Sequence, residues 1–311
     1  MEKRPIGSSG IEVAPLALGG NVFGWTADEE TSFAILDAFV DAGGTMIDTA
    51  DVYTAWIPGH VGGESETVIG KCLKRDPSKL DKGVIATKVG FLEGLAPDKI
   101  AAACDASLGR MGIDRIDLYY QHKDDPNVPL ADSLGAFERL VEAGKVRAIG
   151  LSQFTAERLS EALETSSVLG LTPVAALQPW YNLVERAKYE DDLRDVAVRH
   201  GLAVFPFYSL ANGFLTGKYR SKDDLNKSVR GMRNVEYLEG RGMRVLAALD
   251  EVAAETGAAL ATVALAWTTA QPTITAAIAS ATSMPQLAEL LAALELRLTP
   301  EQIARLDAAS A

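Results

Sequence analysis

Apolar residues along this chain fall into two alternating patterns. Short, nearly continuous apolar runs lie at Leu16–Leu18, Thr45–Asp48, Val84–Thr87, Ile116–Tyr120, Ala148–Leu151, Ala175–Gln178, Ala203–Phe207 and Ile274–Ala279. Runs of that length bounded by turn residues predict buried strands. Between them, at Phe33–Val40, Thr67–Leu73, Ile100–Leu108, Leu134–Val141, Leu159–Leu163 and Leu193–His200, apolar positions recur three and four apart. That is the spacing of one face of a helix. Several of these stretches carry a start signal: Asp28 before Glu29-Glu30, Pro97-Asp98, and Thr155 before Glu157.

Strands that alternate with helices predict a parallel sheet with helical crossovers. About eight such units in 311 residues fit a (β/α)8 TIM barrel, a fold of about 250 residues. A doubly wound sheet is the rival, and periodicity alone does not separate the two. No composition break or Pro/Ser-rich linker divides the chain, so residues 1–311 are expected to form a single domain. Two segments depart from the regular beat. Arg4–Ile6 and Glu12–Ala14 flank Gly7–Gly10 and predict an N-terminal β-hairpin that could plug the bottom of the barrel. Gly217–Arg241, polar and marked by glycines, predicts a long loop between the seventh and eighth strands. An insertion at that end of a barrel is either a lid or specificity loop, or an inert surface loop.

Composition narrows the class. Hydrophobic residues make up 48% and charged residues 23%, proportions of a globular chain. The formal charge of −12 disfavours a nucleic-acid binder, which needs a basic footprint, and an anionic membrane surface. Two cysteines, Cys72 and Cys104, stand far apart, which excludes a disulfide framework and a zinc knuckle and suits a reducing, cytoplasmic setting. The N-terminus does not read as a signal peptide, and the longest apolar stretch, Gly257–Ala270, is interrupted by threonines and too short to span a bilayer.

Motif searches remove further classes. There is no GxGxxG after a strand, no GxSxG, and with only His60, His122 and His200 no HExxH, so no metal site is expected. Gly213–Lys218 approximates a phosphate-binding P-loop but is one residue short and is followed by Tyr219. What remains is a series of polar residues at strand ends: Asp48, with Tyr53 five residues on, then Lys88, His122, Ser152 with Gln153, and Gln178. Taken singly each suits ordinary capping; in a barrel these ends converge on one rim. An Asp, a Lys, a Tyr and a His together suit proton transfer to a carbonyl oxygen. The ammonium favours the phenolate and so lowers the phenol's high pKa, the carboxylate keeps the ammonium charged, and the imidazole orients the oxygen. Such a group supplies no hydride, so a redox cofactor is required.

These residues resemble the aldo-keto reductase family over essentially the whole chain. GGTMIDTADVY (Gly43–Tyr53) is similar to the family segment holding its Asp and Tyr. ATKVG (Ala86–Gly90) resembles its lysine motif, and DLYYQHKDD (Asp117–Asp125) its histidine motif. GLSQF (Gly150–Phe154), LQPWYN (Leu177–Asn182) and LANGFLTGKY (Leu210–Tyr219) also match. The resemblance implies a TIM barrel that binds a nicotinamide dinucleotide without a Rossmann domain, NADP(H) ahead of NAD(H). It implies reversible reduction of a small-molecule aldehyde or ketone. Carried over, Tyr53 is the general acid, Lys88 and Asp48 tune it, and His122 orients the substrate oxygen. Ser152, Gln153 and Gln178 are implied at the carboxamide of the nicotinamide, with Phe207 or Tyr208 stacked on its ring. Leu210, Thr216 and Lys218 are implied along the pyrophosphate, Ser280, Gln286 and Glu289 around the adenosine phosphate, and Gly20, Asn21 and Val22 in the first loop against the cofactor.

The chain departs from the family pattern at Gln153, where Asn is usual, at Gln286, where an arginine commonly meets the 2′-phosphate, and at Leu290, where Asn is common. The amide at 286 removes a charge-assisted contact, which Lys218 or Arg230 could replace. Trp25, Trp56 and the 217–241 segment are the candidates for substrate selection. A second reading is a cofactor-binding regulatory subunit, because relatives of the potassium-channel β-subunit type keep the same four residues. Nothing in the chain resembles the N-terminal inactivating extension some of those carry. The sequence leaves the substrate and a homo-oligomer open.

Overall fold

The computed structural model describes residues 2–79 and 83–311. A hairpin of β1 (Arg4–Pro5) and β2 (Glu12–Val13) comes first. The chain then alternates: β3 (Leu16–Gly19), α1 (Glu29–Asp41), β4 (Met46–Asp48), α2 (Glu64–Arg75), β5 (Val84–Val89), α3 (Pro97–Met111), β6 (Ile116–Gln121), α4 (Leu130–Glu142), β7 (Val146–Ser152), α5 (Ala156–Val168) and β8 (Val174–Gln178). Next come α6 (Ala187–Glu190), α7 (Leu193–Arg199), β9 (Ala203–Val204), α8 (Arg241–Thr256), α9 (Leu260–Ala270), β10 (Ala277–Ala279), α10 (Met284–Ala292) and α11 (Pro300–Ser310).

Strands β3 to β10 form one eight-stranded sheet in the order β10-β3-β4-β5-β6-β7-β8-β9, and every adjacent pair is parallel. The two ends of that order also meet. Thr275 N donates to Val204 O at 2.9 Å and Ile278 N to Pro206 O at 3.0 Å, so backbone hydrogen bonds join the seventh strand region to the eighth. The fold is a (β/α)8 barrel, and the doubly wound alternative falls. The seventh strand is shorter than its apolar run because Pro206 has no N–H to donate. Pairing resumes at Phe207, which bridges to Trp180.

Period two along each strand divides the core in two. Met46, Val84, Ala86, Leu118, Tyr120, Ala148, Ala176, Ala203 and Ile278 pack inside the barrel, where Ile6, Ile11 and Val13 of the hairpin region join them and plug one end. Gly7 turns at φ 49°, and a Cβ there would lie 2.6 Å from Ala175 O, so only glycine seats the plug. Ile47, Ile85, Tyr119, Ile149 and Leu177 face outward against the helices. At the start of α1 the Asp28 side chain accepts from Thr31 N at 2.8 Å, and Thr155 caps α5 in the same way. Four C-terminal helices, α8 to α11, carry no counterpart among the amphipathic stretches read from sequence; α9 is buried over most of its surface and so shows no polar stripe. No helix among the described residues is long and apolar enough to cross a membrane.

The 217–241 segment expected as a long loop contains short 3-10 helices at Lys222–Lys227 and Gly231–Leu238, and another, Ala211–Thr216, leads into it. It is tied down by Tyr237 Oη donating to Glu185 at 2.9 Å and by a hydrogen bond between the Tyr219 and Ser228 hydroxyls. The segment places Arg230 over the Trp25 ring and Arg233 3.4 Å from Tyr208 Oη.

Candidate active site

The same period-two rule that fills the barrel sets its rim. Asp48 follows inward Met46 by two, Lys88 follows Ala86, His122 follows Tyr120, Ser152 follows Gly150 and Gln178 follows Ala176. Each is therefore the next inward side chain above an apolar layer, at the C-terminal end of its strand. All five are buried.

Lys88 is the centre of the cluster and is 0% exposed. Its Nζ donates to Asp48 Oδ2 at 2.6 Å, Thr49 O at 2.7 Å and Tyr53 Oη at 3.0 Å. These three acceptors match the three donors of an ammonium. The other Asp48 oxygen accepts from Gln178 Nε2 at 2.9 Å. Ser152 Oγ donates to Gln178 O at 3.0 Å, and Gln153 Nε2 to His122 O at 3.0 Å. The His122 ring lies 5.9 Å from that of Tyr53, edge to face. Tyr53 itself sits in the turn-rich loop after β4, beside Thr54 at φ 75°.

Electrostatics follow from this burial. Burial raises the Tyr53 phenol above its ordinary pKa, against the pull of the Lys88 ammonium; Asp48 adds to the rise. The expectation that lysine dominates is thus reversed in direction: desolvation of a phenolate outweighs one ammonium already shared with a carboxylate. Burial alone would lower Lys88, but Asp48 and Tyr53 raise it, and it stays charged. His122 is held well below its ordinary value by burial first and by the Lys88 and Lys123 charges next, so its ring is neutral. Asp51, which sequence reasoning passed over, is pushed up to about 7, first by burial and then by Glu66. Its Oδ1 is buried without a partner. The arrangement can keep a proton on a phenol, present it beside a neutral imidazole, and stabilise the phenolate left behind.

Around this centre lie the other residues singled out from sequence. Phe207 and Tyr208 pack on each other at 5.0 Å and on Trp180 at 6.0 and 5.1 Å. Trp180 lies inside the LQPWYN match, two residues after β8, but was not named there as a site residue. Tyr208, Ala211 and Asn212 all have positive φ, as do Thr54 and Gln153. Among the described residues, these five non-glycine positions of positive φ all lie in segments that follow the C-terminal ends of strands, where strain collects at functional sites. Leu210 precedes the first 3-10 turn, Thr216 Oγ1 donates to Gly213 O at 2.8 Å, and Lys218 Nζ stands 5.2 Å over the Tyr219 ring. Ser280 Oγ donates to Asn21 Oδ1 at 2.7 Å, joining the ends of β10 and β3. Gly20 N donates to Asp48 O at 2.7 Å, while the Val22 side chain is buried in the core. Gln286 Oε1 accepts from Thr282 N at 2.9 Å at the start of α10. Glu289 is exposed and Leu290 is buried in the core, where it offers no polar atom. Trp25 and Trp56 touch at 5.5 Å, Trp56 and Tyr53 at 6.2 Å, and Phe91, also not foreseen, meets His122 at 4.9 Å. Arg230 lies 5.1 Å over the Trp25 ring.

Comparison with known proteins decides the family. The aldo/keto reductase family model matches residues 15–311. The chain belongs to the aldo/keto reductase family. It is 32% identical to the uncharacterized oxidoreductase YrpG of Bacillus subtilis, over 99% of this chain and 95% of that protein. It is 31% identical to the L-glyceraldehyde 3-phosphate reductase of Escherichia coli O157:H7, over 99% and 92%. It is 29% identical to a probable voltage-gated potassium channel subunit beta of Oryza sativa subsp. japonica, over 99% and 96%. As an aldo/keto reductase the chain falls among oxidoreductases that use nicotinamide cofactors.

Proposed function

We propose that this aldo/keto reductase reduces an aldehyde or ketone to the alcohol, reversibly, with NADPH as preferred cofactor and Tyr53 as proton donor. The observation that carries the reading is the fully buried Lys88 ammonium, held 2.6 Å from Asp48 and 3.0 Å from the Tyr53 hydroxyl. A lysine buried in this way beside a phenol has an electrostatic use that a structural pair alone does not need.

Several features fit a dinucleotide. The flat faces of Phe207 and Tyr208 suit a nicotinamide ring, with the Ser152, Gln153 and Gln178 polar groups beside them. Lys218, which follows the positive-φ run at Tyr208, Ala211, Asn212 and Gly213, supplies a charge that suits a pyrophosphate. Ser280, Gln286 and Glu289 would lie toward the adenosine end, and Asn21 in the first loop against the cofactor. The bound cofactor supplies the hydride. Tyr53 gives its proton to the substrate oxygen, and neutral His122 hydrogen-bonds the same oxygen without competing for that proton. Lys88 then stabilises the phenolate, and Asp48, fixed by Gln178, keeps Lys88 charged and in place.

A cofactor-binding regulatory subunit is the second reading, favoured by the relatives named as potassium channel β subunits. Titration of tryptophan fluorescence with NADPH and NADH, followed by loss of nicotinamide absorbance with a panel of aldehydes, separates the two. Tight NADPH binding with turnover is expected. Binding without turnover on any carbonyl would favour the regulatory reading, and absence of binding would overturn both. Gln286→Arg is expected to tighten NADPH more than NADH, through a charge-assisted contact to the 2′-phosphate; an unchanged ratio would put Gln286 outside that subsite.

A further inference from the structure

Each of the three groups at the centre of the site has a threonine beside it in sequence. Thr49 follows Asp48, Thr54 follows Tyr53, and Thr87 precedes Lys88. All three threonines are buried, so each hydroxyl needs a partner within the protein. The first turn of α2 supplies all three partners. Glu64 Oε2 accepts from Thr54 Oγ1, and Glu66 Oε1 accepts from Thr87 Oγ1 at 2.6 Å. Ser65 gives its one proton to Gly20 O at 2.8 Å and so accepts from Thr49 Oγ1, also at 2.8 Å.

The Thr54 link differs from the other two in what it holds. Thr54 sits at φ 75°, a conformation that β-branched residues avoid and that costs on the order of 1–3 kcal/mol. Such a turn persists only where its neighbours over-determine it. It stands between Tyr53, whose hydroxyl meets Lys88, and Trp56, whose ring meets that of Tyr53. From Ala50 to His60 the loop is a run of tight turns, with Tyr53 N on Ala50 O, Ala55 N on Val52 O, Ile57 N on Thr54 O and His60 N on Ile57 O. Glu64 closes that run: one oxygen holds Thr54 and the other accepts from Val61 N at 2.9 Å. His60 Nδ1 lies 4.0 Å from the same oxygen as Val61. On its other side Glu64 backs onto Gly24, the residue before Trp25, where a Cβ would stand 3.4 Å from Glu64 Cβ. Burial alone would raise the Glu64 carboxyl, but the Thr54 hydroxyl and then the Val61 N–H hold it below its ordinary value. It is therefore ionised, with both oxygens accepting.

We propose that Glu64 is a positioning residue for the proton donor: by holding Thr54 in its strained turn, it fixes Tyr53 against Lys88 and Trp56 beside Tyr53. The proposal rests on the reductase reading for its effect on turnover, and on the bonds of Glu64 for its effect on the loop. Glu64 acts through Thr54 and not on the reacting atoms, so its loss displaces the donor without removing it. A displacement of about 1 Å at a reacting centre can cost about 100-fold in rate.

The test measures kcat for the fastest aldehyde of the panel, Kd for NADPH and the urea midpoint in Glu64→Ala, Glu64→Gln, Thr54→Val, Thr54→Ser and the double variant Glu64→Ala with Thr54→Val. Glu64→Ala is expected to lower kcat about 10- to 100-fold while NADPH binds as in the wild type. Glu64→Gln should recover most of that loss, because the amide oxygen accepts from Val61 N and the amide nitrogen donates to Thr54 Oγ1. Thr54→Val should lose as much as Glu64→Ala, and the double variant no more than either, since both remove one bond. Thr54→Ser, which keeps the hydroxyl, should stay near the wild type. Wild-type kcat in Glu64→Ala, even with a lowered urea midpoint, would overturn the proposal. So would equal losses in Glu64→Ala and Glu64→Gln, or losses that multiply in the double variant. If the wild type turns over no aldehyde, the reductase reading falls and the loop is read by acrylamide quenching of Trp56, taken as the difference from Trp56→Phe in each background. Stronger quenching of Trp56 in Glu64→Ala upholds the hold on the loop; equal quenching overturns it as well.

Discussion

Two carboxyls and a phenol within a few residues of one another answer to burial in different ways. Asp48 has Lys88 and Gln178 on its two oxygens, whereas Asp51 keeps a buried oxygen without a partner and is pushed up to about 7. Its folded-state pKa lies above the unfolded value of about 3.9, so the native state holds the proton more tightly. Stability is therefore expected to fall as pH rises from about 4 through about 7. Asp51→Asn, which cannot ionise, should unfold at higher urea than the wild type at pH 8, by on the order of 1 kcal/mol after solvent screening, and show little gain at pH 4. Tyr53 sets the second pH dependence. Because its phenol is raised above the ordinary value, reduction, which needs the phenol proton, should stay level across neutral pH and decline only at alkaline pH. Alcohol oxidation, which needs a phenolate to accept a proton, should climb with pH. With His122 neutral throughout, neither profile of kcat should show a limb near 6.5.

At the scale of elements, much of the site was readable because strand ends and chemistry coincide. Asp48, Lys88, His122, Ser152 and Gln178 each interrupt an apolar run, and the structure gathers them because each lies two residues beyond an inward position, Met46, Ala86, Tyr120, Gly150 and Ala176 in turn. Asp51, Phe91 and Trp180 were not readable: they lie in loops, where no periodicity says which way a side chain points. Helix α9 escaped for a related reason, since burial on most sides removes the polar face that marks a helix, whereas α8, α10 and α11 keep exposed faces and were not among the stretches read from the sequence. Close packing inside the barrel gives a prediction at this scale. A Cβ on Gly150 of β7 would stand 2.3 Å from the Tyr120 ring of β6, and that ring is fully buried. Gly150→Ala should destabilise the fold by about 1–3 kcal/mol in denaturant unfolding, as overpacking does. An unchanged midpoint would show that the ring has room to turn.

Over the whole molecule, barrel closure is what turns scattered sequence motifs into one site. Ser280 of the eighth strand's end reaches Asn21 after the first strand, and the 211–238 helical turns bring Arg230 to Trp25. Residues more than 200 positions apart become neighbours through eight parallel strands and the bonds between Val204, Pro206 and the last strand. On the proposed reading, this convergence makes Tyr53 the proton donor, with Lys88 beside it to stabilise the phenolate and Asp48 to hold Lys88 in place. Tyr53→Phe tests it most directly, with NADPH affinity and carbonyl turnover measured on the same preparation. Cofactor binding close to wild type and a loss of turnover of about 100- to 10,000-fold are expected. Turnover at the wild-type rate would show that the proton comes from elsewhere.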